Sequence, residues 1–255
     1  MKKIIEVSIG ILSISTIRYF LLAGIPFLLF YRLLPAKLSK YKIQQKSASK
    51  KDFWREIWHS MQSTCVFTII AVAIQVTPLK QHTLIYDDIA QYPKWFIGFG
   101  LIISLIIHDT YFYWMHRLLH NKVIFKFTHL VHHKSTNPSP WTSYSFHFFE
   151  ALIEGLVLIP IVFILPIHPI TIVLFTILAF TINVYGHLGY EIAPRWFRRT
   201  WLFEIINTSV YHNMHHSKFK GNYGLYFRVW DRLMGTENPD YVKEYDKVKN
   251  QGKSF

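Results

Sequence analysis

Five long apolar runs constrain the fold of this 255-residue chain more than any other feature of its sequence. An apolar helix of roughly 20 residues crosses the hydrocarbon core of a bilayer, and a helix satisfies its own backbone hydrogen bonds there. We therefore expect an all-α, multi-pass transmembrane bundle that forms one domain over residues 1–255 and keeps its first run as an anchor. The runs cover residues 7–32, 62–78, 95–115, 149–166 and 169–189.

The last two runs are separated by the sequence PIHP at residues 166–169. Two prolines this close together favour a turn, because proline fixes its own backbone and cannot continue a helix. We interpret the two runs as the arms of a helical hairpin that enters the membrane and returns.

Basic residues indicate which ends of the spans share a side of the membrane. Residues 35–55 contain seven Lys and Arg, and the positive-inside rule places such a segment in the cytoplasm. Alternation along the chain then puts residues 33–61, 116–148 and 190–255 on the cytoplasmic side. The rule applies equally to a bacterial inner membrane and to the endoplasmic reticulum.

The net charge of +13 arises from 28 Lys and Arg against 15 Asp and Glu. Because these basic residues flank the apolar runs, they suit an anionic membrane surface rather than a nucleic acid. The only cysteine, Cys65, excludes an intrachain disulfide and a thiolate metal cage. Since it lies within an apolar run, we expect it to be a small core residue.

Twelve of the fourteen histidines lie between residues 108 and 216. They include one His-x-x-x-His box, at 116–120, and two His-x-x-His-His boxes, HLVHH at 129–133 and HNMHH at 212–216. Residues three and four apart share a face of a helix, so the members of each box point the same way. Asp109 precedes His116 by almost two turns and lies on the same face.

Neutral imidazole is a good ligand for iron and other borderline transition metals. Eight imidazoles are too many for one ion, so the pattern predicts a two-metal site in a helical cap beyond the span ends. Such a site can reduce O₂ in a controlled way and attack a C–H bond of a lipid at the membrane. We interpret the isolated His59, His82 and His168 as structural, and His108 as a neighbour of the site.

Four stretches resemble the fatty acid hydroxylase and sterol desaturase superfamily of membrane-bound histidine-box oxygenases. The NYG and WDR.MGT elements that follow the third box are similar to those of its lathosterol-oxidase-like branch. That branch introduces a double bond into a sterol ring, and its relatives hydroxylate fatty acids, sphingolipids or carotenoids. The stretches, within residues 108–236, are HDTYFYWMHRLLH, HLVHH, NVYGHLGYE and HNMHHSKFKGNYGLYFRVWDRLMGT.

The resemblance implies two iron ions bound by nine histidines, one of which, His187, lies outside the three boxes. Family members can carry another histidine where this chain has Asn183, so Asn183 either acts through water or leaves the second metal one ligand short. The implied ligands are His116, His120, His129, His132, His133, His187, His212, His215 and His216.

Three further side chains are candidates for the surroundings of the metals. Glu191 follows His187 by one turn and is placed to accept its second N–H, and Asp109 is placed to do so for His116. Such contacts fix the tautomer of a ligand histidine. His147, three residues before Glu150 at the start of the hairpin, is a ligand, an outer partner of a ligand, or a polar group of a cavity.

The expected function is O₂-dependent hydroxylation or desaturation of a lipid. Both reactions begin with hydrogen abstraction, so the sequence leaves the product open, as it does the lipid and the residues that bind it. A zinc-dependent membrane hydrolase is disfavoured, because there is no His-Glu-x-x-His motif and few acids lie near the boxes. A non-enzymatic metal-binding protein is disfavoured because the boxes lie mainly beyond the spans.

Reducing equivalents are expected from a separate electron carrier, a b-type cytochrome or a ferredoxin with its reductase. Gly98 and Gly100 lie in an apolar run without the rest of a dinucleotide fingerprint, so no bound flavin or nicotinamide is expected. A basic cytoplasmic face would attract an acidic carrier.

Overall fold

The computed structural model describes residues 2–46 and 48–251, and helices dominate this part of the chain. No strand occurs in it, and three isolated β-bridges are its only sheet-like pairings. The all-α fold class predicted from the sequence is therefore confirmed.

Four helices are long and apolar enough to cross a membrane. Large apolar side chains on their outer faces are exposed, among them Ile14 at 68%, which is typical of a lipid-facing surface. We call them the first to fourth spanning helices: Lys2–Leu33, whose last turns from Leu28 are π-helical, Lys50–Val76, Trp95–Leu119 and Pro169–Gly186.

The second spanning helix begins twelve residues before its apolar run, because a capping box starts it. The Ser49 hydroxyl accepts from the backbone N–H of Asp52, and the Asp52 carboxylate accepts from the backbone N–H of Ser49. Its buried face runs through Ser63, Val66 and Ile70. Cys65 lies on the opposite face and is exposed, so the expectation that it is a core residue is wrong.

The first arm of the hairpin is broken into two short helices, Phe148–Gly155 and Leu158–Ile164. Pro160 explains the break, because it has no N–H to donate to the carbonyl of Leu156. The expected continuous arm over 149–166 is therefore wrong. Gly155 packs so closely on the second spanning helix that a Cβ there would lie 2.6 Å from Ile70.

The tip of the hairpin reaches the end of the bundle opposite to the histidine boxes. Ile167 exchanges backbone hydrogen bonds with the loop between the second and third spanning helices, donating to Leu84 at 3.1 Å and accepting from Tyr86 at 3.2 Å. At the other end, the backbone N–H of Glu191 donates to Tyr41 at 2.7 Å. The hairpin thus traverses the whole bundle, and the boxes share an end with the basic segment after the first spanning helix.

Beyond the spanning helices, short elements build a cap whose centre is Arg228. This arginine is 1% exposed, pairs with Glu237 and lies 4.6 Å from the ring of Tyr241. The remaining α-helices are Pro35–Leu38, Phe125–Thr128, Leu130–His133, Ser209–Lys218, Val229–Leu233 and Tyr241–Asn250. The 3₁₀ turns are Ser39–Tyr41, Pro78–His82, Ile89–Gln91, Pro140–Tyr144, Arg195–Arg199 and Trp201–Glu204.

This arrangement predicts the outcome of cysteine labelling in sealed vesicles. In a Cys65→Ser background, Lys37→Cys and Lys220→Cys should react with an impermeant maleimide from one side, and Lys94→Cys from the other. All three lysines are exposed, so burial does not limit labelling. Opposite sides for Lys37 and Lys220 would contradict the bundle described here.

Candidate metal centre

Each histidine box lies where a helix ends or begins at one end of the bundle. The third spanning helix carries His116 in its last turn and ends at its C-cap, His120. His187 caps the fourth spanning helix in the same way. The second box occupies two consecutive short turns, Phe125–Thr128 and Leu130–His133, with His129 at their junction. The third box lies in Ser209–Lys218, which begins after the N-cap Thr208.

The structure brings all nine predicted histidines together, in two groups that cut across the boxes. Within each group, one nitrogen from every imidazole lies within 4.8 Å of all the others. The groups adjoin, since the rings of His133 and His216 stack at 4.9 Å. Eight of the nine are buried and His120 is half-buried. The five-histidine group is His116, His120, His129, His133 and His215, and the four-histidine group is His132, His187, His212 and His216.

In four histidines, the Nδ1 atom faces away from the cluster and holds the ring proton, which decides whether the Nε2 atom inside the cluster carries a lone pair. Nδ1–H donates to a backbone carbonyl in three of them: His116 to Tyr223 at 2.8 Å, His187 to Asn183 at 2.8 Å, and His215 to Gly221 at 2.7 Å. A neutral imidazole carries only one N–H. The Nε2 atom of each of these rings therefore presents a lone pair to the interior of its group.

These lone pairs face one another without a proton between them. The Nε2 atoms of His116 and His129 are 3.0 Å apart, although the single proton of each ring is engaged at Nδ1, that of His129 with Glu150. In the second group, Nε2 of His187, whose ring proton lies on Nδ1, is 3.0 Å from Nε2 of His212, and a cation there would bind both atoms. Facing lone pairs repel unless a cation lies between them, so this donor set fits two bound metal ions.

Burial keeps the clustered imidazoles in the form that binds metal. Loss of hydration lowers the pKa of His215 to about 4, because burial penalises the charged imidazolium. Burial, reinforced by neighbouring histidines, holds the pKa of His212 and of His216 well below the usual value. At neutral pH these rings are uncharged.

Glu150 is the functional residue whose contact the sequence did not predict. Its carboxylate accepts from Nδ1 of His129 at 2.6 Å, and both side chains are almost completely buried. A carboxylate in this position fixes the tautomer of a ligand histidine and increases the electron density at its other nitrogen. The signal in the sequence was an acidic residue inside an apolar run, three residues after His147.

Glu191 does not contact His187, so the expected pairing is wrong. Its buried carboxylate accepts from the Tyr185 hydroxyl at 2.7 Å and from the backbone N–H of Val210 at 3.1 Å. His187 lies just past the end of its helix, where its ring turns back to the carbonyl of Asn183. Glu191 therefore joins the end of one helix to the start of the helix that carries the third box.

Asp109 likewise does not contact His116, contrary to the expectation. Its carboxylate accepts from the backbone N–H groups of Tyr226 and Phe227, at 2.7 and 3.2 Å. These two residues lie near the end of the loop that follows the third box, and the Tyr223 carbonyl of that loop takes the Nδ1 proton of His116 instead. Asp109 thus holds the loop that orients this histidine.

Asn183 and His147 both lie outside the two groups. The Asn183 side-chain amide donates to the backbone carbonyl of Ser143 at 2.8 Å. It is the backbone carbonyl of Asn183 that orients His187. His147 is the N-cap of the first hairpin helix and accepts from the backbone N–H of Phe149 at 3.3 Å. Neither side chain is placed among the clustered nitrogens.

The loop after the third box is shaped so that its carbonyls face the histidines. Gly221 and Asn222 have positive φ values of 76° and 55°, a conformation that glycine and asparagine tolerate best. A Cβ on Gly221 would lie 2.6 Å from the carbonyl oxygen of Thr236. The Asp231 carboxylate accepts from the N–H groups of Tyr223 and Gly224. These contacts account for the NYG and WDR.MGT elements, because they position the carbonyls that bind His116 and His215.

Comparisons with known proteins place these residues in a family context. The fatty acid hydroxylase family model matches residues 101–236. Lathosterol oxidase of Homo sapiens is 30% identical over 219 residues, which cover 80% of this chain and 71% of that protein. No solved structure shows a significant match.

Two further relatives carry different names. A probable Delta(7)-sterol 5(6)-desaturase of Neurospora crassa is 29% identical over 195 residues, 75% of this chain and 54% of that protein. A cholesterol 25-hydroxylase-like protein of Danio rerio is 30% identical over 226 residues, 83% of this chain and 84% of that protein. The matched part of this chain thus spans from about half to more than four-fifths of its relatives' lengths.

The two histidine groups predict about two transition-metal ions per purified chain, measured by inductively coupled plasma mass spectrometry. His132→Ala and His215→Ala each remove one imidazole from a different group and should hold fewer than two ions. His82→Ala is the control and should keep both, because His82 belongs to neither group. Zinc can replace iron in aerobic preparations, since it outranks Fe²⁺ in intrinsic affinity. Folded protein without bound metal would contradict the site.

The contact between Glu150 and His129 predicts a graded effect on metal affinity. Glu150→Leu removes the acceptor of the Nδ1 proton and should weaken metal binding about 10- to 100-fold, whereas Glu150→Gln keeps an acceptor and should lose less. Glu154→Leu is the matched control, because Glu154 is a buried carboxyl one turn further along the same helix. Competition with a metal-sensitive dye measures the affinities. Equal losses for the residue 150 and 154 leucine variants would exclude a specific role for Glu150.

Proposed function

The chain belongs to the fatty acid hydroxylase family, and from that premise we propose that it is a di-iron oxidoreductase that uses O₂ to hydroxylate or desaturate a lipid. The observation that carries the proposal is the pair of histidine groups, whose inner lone pairs face one another at one end of an apolar bundle. The sterol desaturases and the sterol hydroxylase-like protein among its relatives support a lipid substrate.

In this proposal the five-histidine group binds one iron and the four-histidine group binds the other. When bound, the ions supply the oxidising power that breaks a strong C–H bond with O₂. The protein contributes fixed ligands: backbone carbonyls and Glu150 hold the outer nitrogens, so that the inner nitrogens need no reorientation. Phe112 and Phe146 cover the side of the cluster that faces the bundle and exclude water there, with rings 4.9 Å from His116 and 5.1 Å from His132.

The balance of either reaction requires two electrons from outside. Hydroxylation places one oxygen atom in the lipid and releases the other as water, with two electrons and two protons added. Desaturation removes two hydrogen atoms from the lipid and, with the same two electrons and two protons, reduces both oxygen atoms to water. We propose that a separate b-type cytochrome or ferredoxin, with its reductase, supplies these electrons.

The surface beside His120 supports docking of such a carrier. His120 is the one clustered histidine that is half-exposed, and it lines an opening together with Trp114, Arg117 and Asn121. Exposed lysines surround this end of the molecule, and they would attract an acidic carrier. We propose that this end faces the cytoplasm and that residues 1–255 act as one domain. These lysines are Lys122, Lys126, Lys134, Lys218 and Lys220.

Lipid conversion in cells tests the proposal. Extracts from cells with the gene should contain a lipid shifted by +16 or −2 mass units that is missing without it. His132→Ala and His215→Ala should abolish nearly all conversion at matched expression, because both ions must keep a fixed separation. His82→Ala should convert normally. Substantial conversion by either cluster variant would refute the di-iron mechanism, and a metal-storage protein would show no shifted lipid at all.

A further inference from the structure

A cavity of about 110 Å³ lies inside the bundle, one layer of residues away from the histidine cluster. Three of its lining residues contact clustered histidines: Phe112 touches His116, Phe146 touches His132, and Asn183 accepts from His187. The cavity is therefore lined by residues that pack on both histidine groups. Its other lining is mostly apolar and includes one carboxyl, the buried Glu154. It is positioned to hold part of a lipid beside the cluster.

Arg18 lines the same cavity from the middle of the first spanning helix. Its Nε atom is buried without a hydrogen-bond partner in the described part of the chain, and no ion pair there involves it. Charged side chains within a membrane are rare and are almost always paired or functional. The lining also contains the buried Glu154, but no ion pair joins it to Arg18 in the described part of the chain. An arginine whose Nε atom has no partner at the wall of a mostly apolar cavity indicates that a ligand supplies the acceptor.

We infer that Arg18 binds the polar oxygen of the lipid whose apolar part occupies this cavity; the inference rests on the proposed function. A guanidinium has only donors, so the group it recognises is an oxygen acceptor at the end of an apolar molecule. The hydroxyl of a sterol and the carboxylate of a fatty acid share this chemistry. Arg18 is the only Lys or Arg among the described lining residues, which does not suit a phosphate headgroup.

The size of the cavity also argues against a bulky headgroup. It is smaller than the roughly 300–1,000 Å³ of typical ligand sites, so it accepts only part of a lipid and no bulky head. Its lining includes the half-exposed Leu158 and Thr176, and the rest of the molecule extends past such residues towards the bilayer.

The position of Arg18 also determines which carbon is oxidised. Its neighbour Tyr19 packs on Phe180 with ring centroids 5.9 Å apart, so Arg18 lies near the level of Phe180 and Thr176. These residues precede His187 on the fourth spanning helix by roughly 10 and 16 Å, at 1.5 Å per residue. A lipid held by its oxygen at Arg18 presents to the histidines a carbon several bonds away. The oxidised position is remote from the polar end.

Equilibrium binding to the full chain in nanodiscs tests the role of Arg18. Two pairs of radiolabelled probes differ only in the polar group: cholesterol and cholest-5-ene, and oleate and octadecene. The wild type should bind the oxygen-bearing member of one pair about 10- to 100-fold more tightly, as for a hydrogen bond to a charged group. The pair that shows this preference identifies the hydroxyl or the carboxylate. Equal binding within both pairs would overturn the inference.

Variants separate this role from a structural one. Arg18→Leu should abolish the preference while binding of the hydrocarbon member is unchanged, and Arg18→Lys should retain part of it. Arg32→Leu is the control: it removes a cation from the C-terminal end of the same helix and should leave the binding preference of the wild type unchanged. Metal content verifies the fold of each variant. A preference that survives in Arg18→Leu would refute the inference, and the lysine variant decides if the leucine variant does not fold.

Product analysis tests the position of attack. Fragmentation of the product by tandem mass spectrometry should place the new oxygen or double bond several carbons from the polar end. Oxidation next to the oxygen-bearing carbon would refute the remote placement. Tighter binding of the oxygen-bearing probe without any lipid oxidation would support the role of Arg18 and refute the proposed function. Lipid oxidation without that binding preference would support the proposed function and refute the role of Arg18.

Discussion

The metal centre depends on one constraint of imidazole chemistry: a neutral ring carries a single proton, and here that proton is engaged on the outside of the cluster. Carbonyls of Tyr223, Asn183 and Gly221 accept three of these protons, and the carboxylate of Glu150 accepts a fourth. The inner nitrogens consequently carry lone pairs that repel one another. A cation bound between them attracts both lone pairs, so the arrangement favours metal binding.

Much of the surrounding fold serves to hold these acceptors in place. Asp109 and Asp231 hold the loop after the third box by its backbone N–H groups, and the left-handed turn at Gly221 directs a carbonyl towards His215. Glu191 ties the helix of the third box to the end of the fourth spanning helix. The acidic residues near the site thus mostly accept hydrogen bonds from backbone N–H groups, and the backbone carbonyls held in this way orient the histidines.

Helical periodicity and box spacing are local properties, so they predicted that the histidines of the three boxes come together. The resemblance to the family added His187. The sequence did not predict that each His-x-x-His-His box divides between two groups, since that depends on how three elements meet. The pairings expected for Glu191 and Asp109 were wrong for a related reason. Both carboxylates accept from backbone N–H groups of segments distant in sequence. A hydrogen bond to the backbone leaves no pattern of side chains in the sequence that could predict it. The break in the first arm of the hairpin has one visible cause in the sequence, Pro160.

The division of adjacent histidines between the two groups couples the geometry of the two groups. His132 and His133 are neighbours on one short turn and His215 and His216 on another, yet each pair serves both groups. The two groups therefore do not change independently, because a shift of either turn moves ligands of both groups.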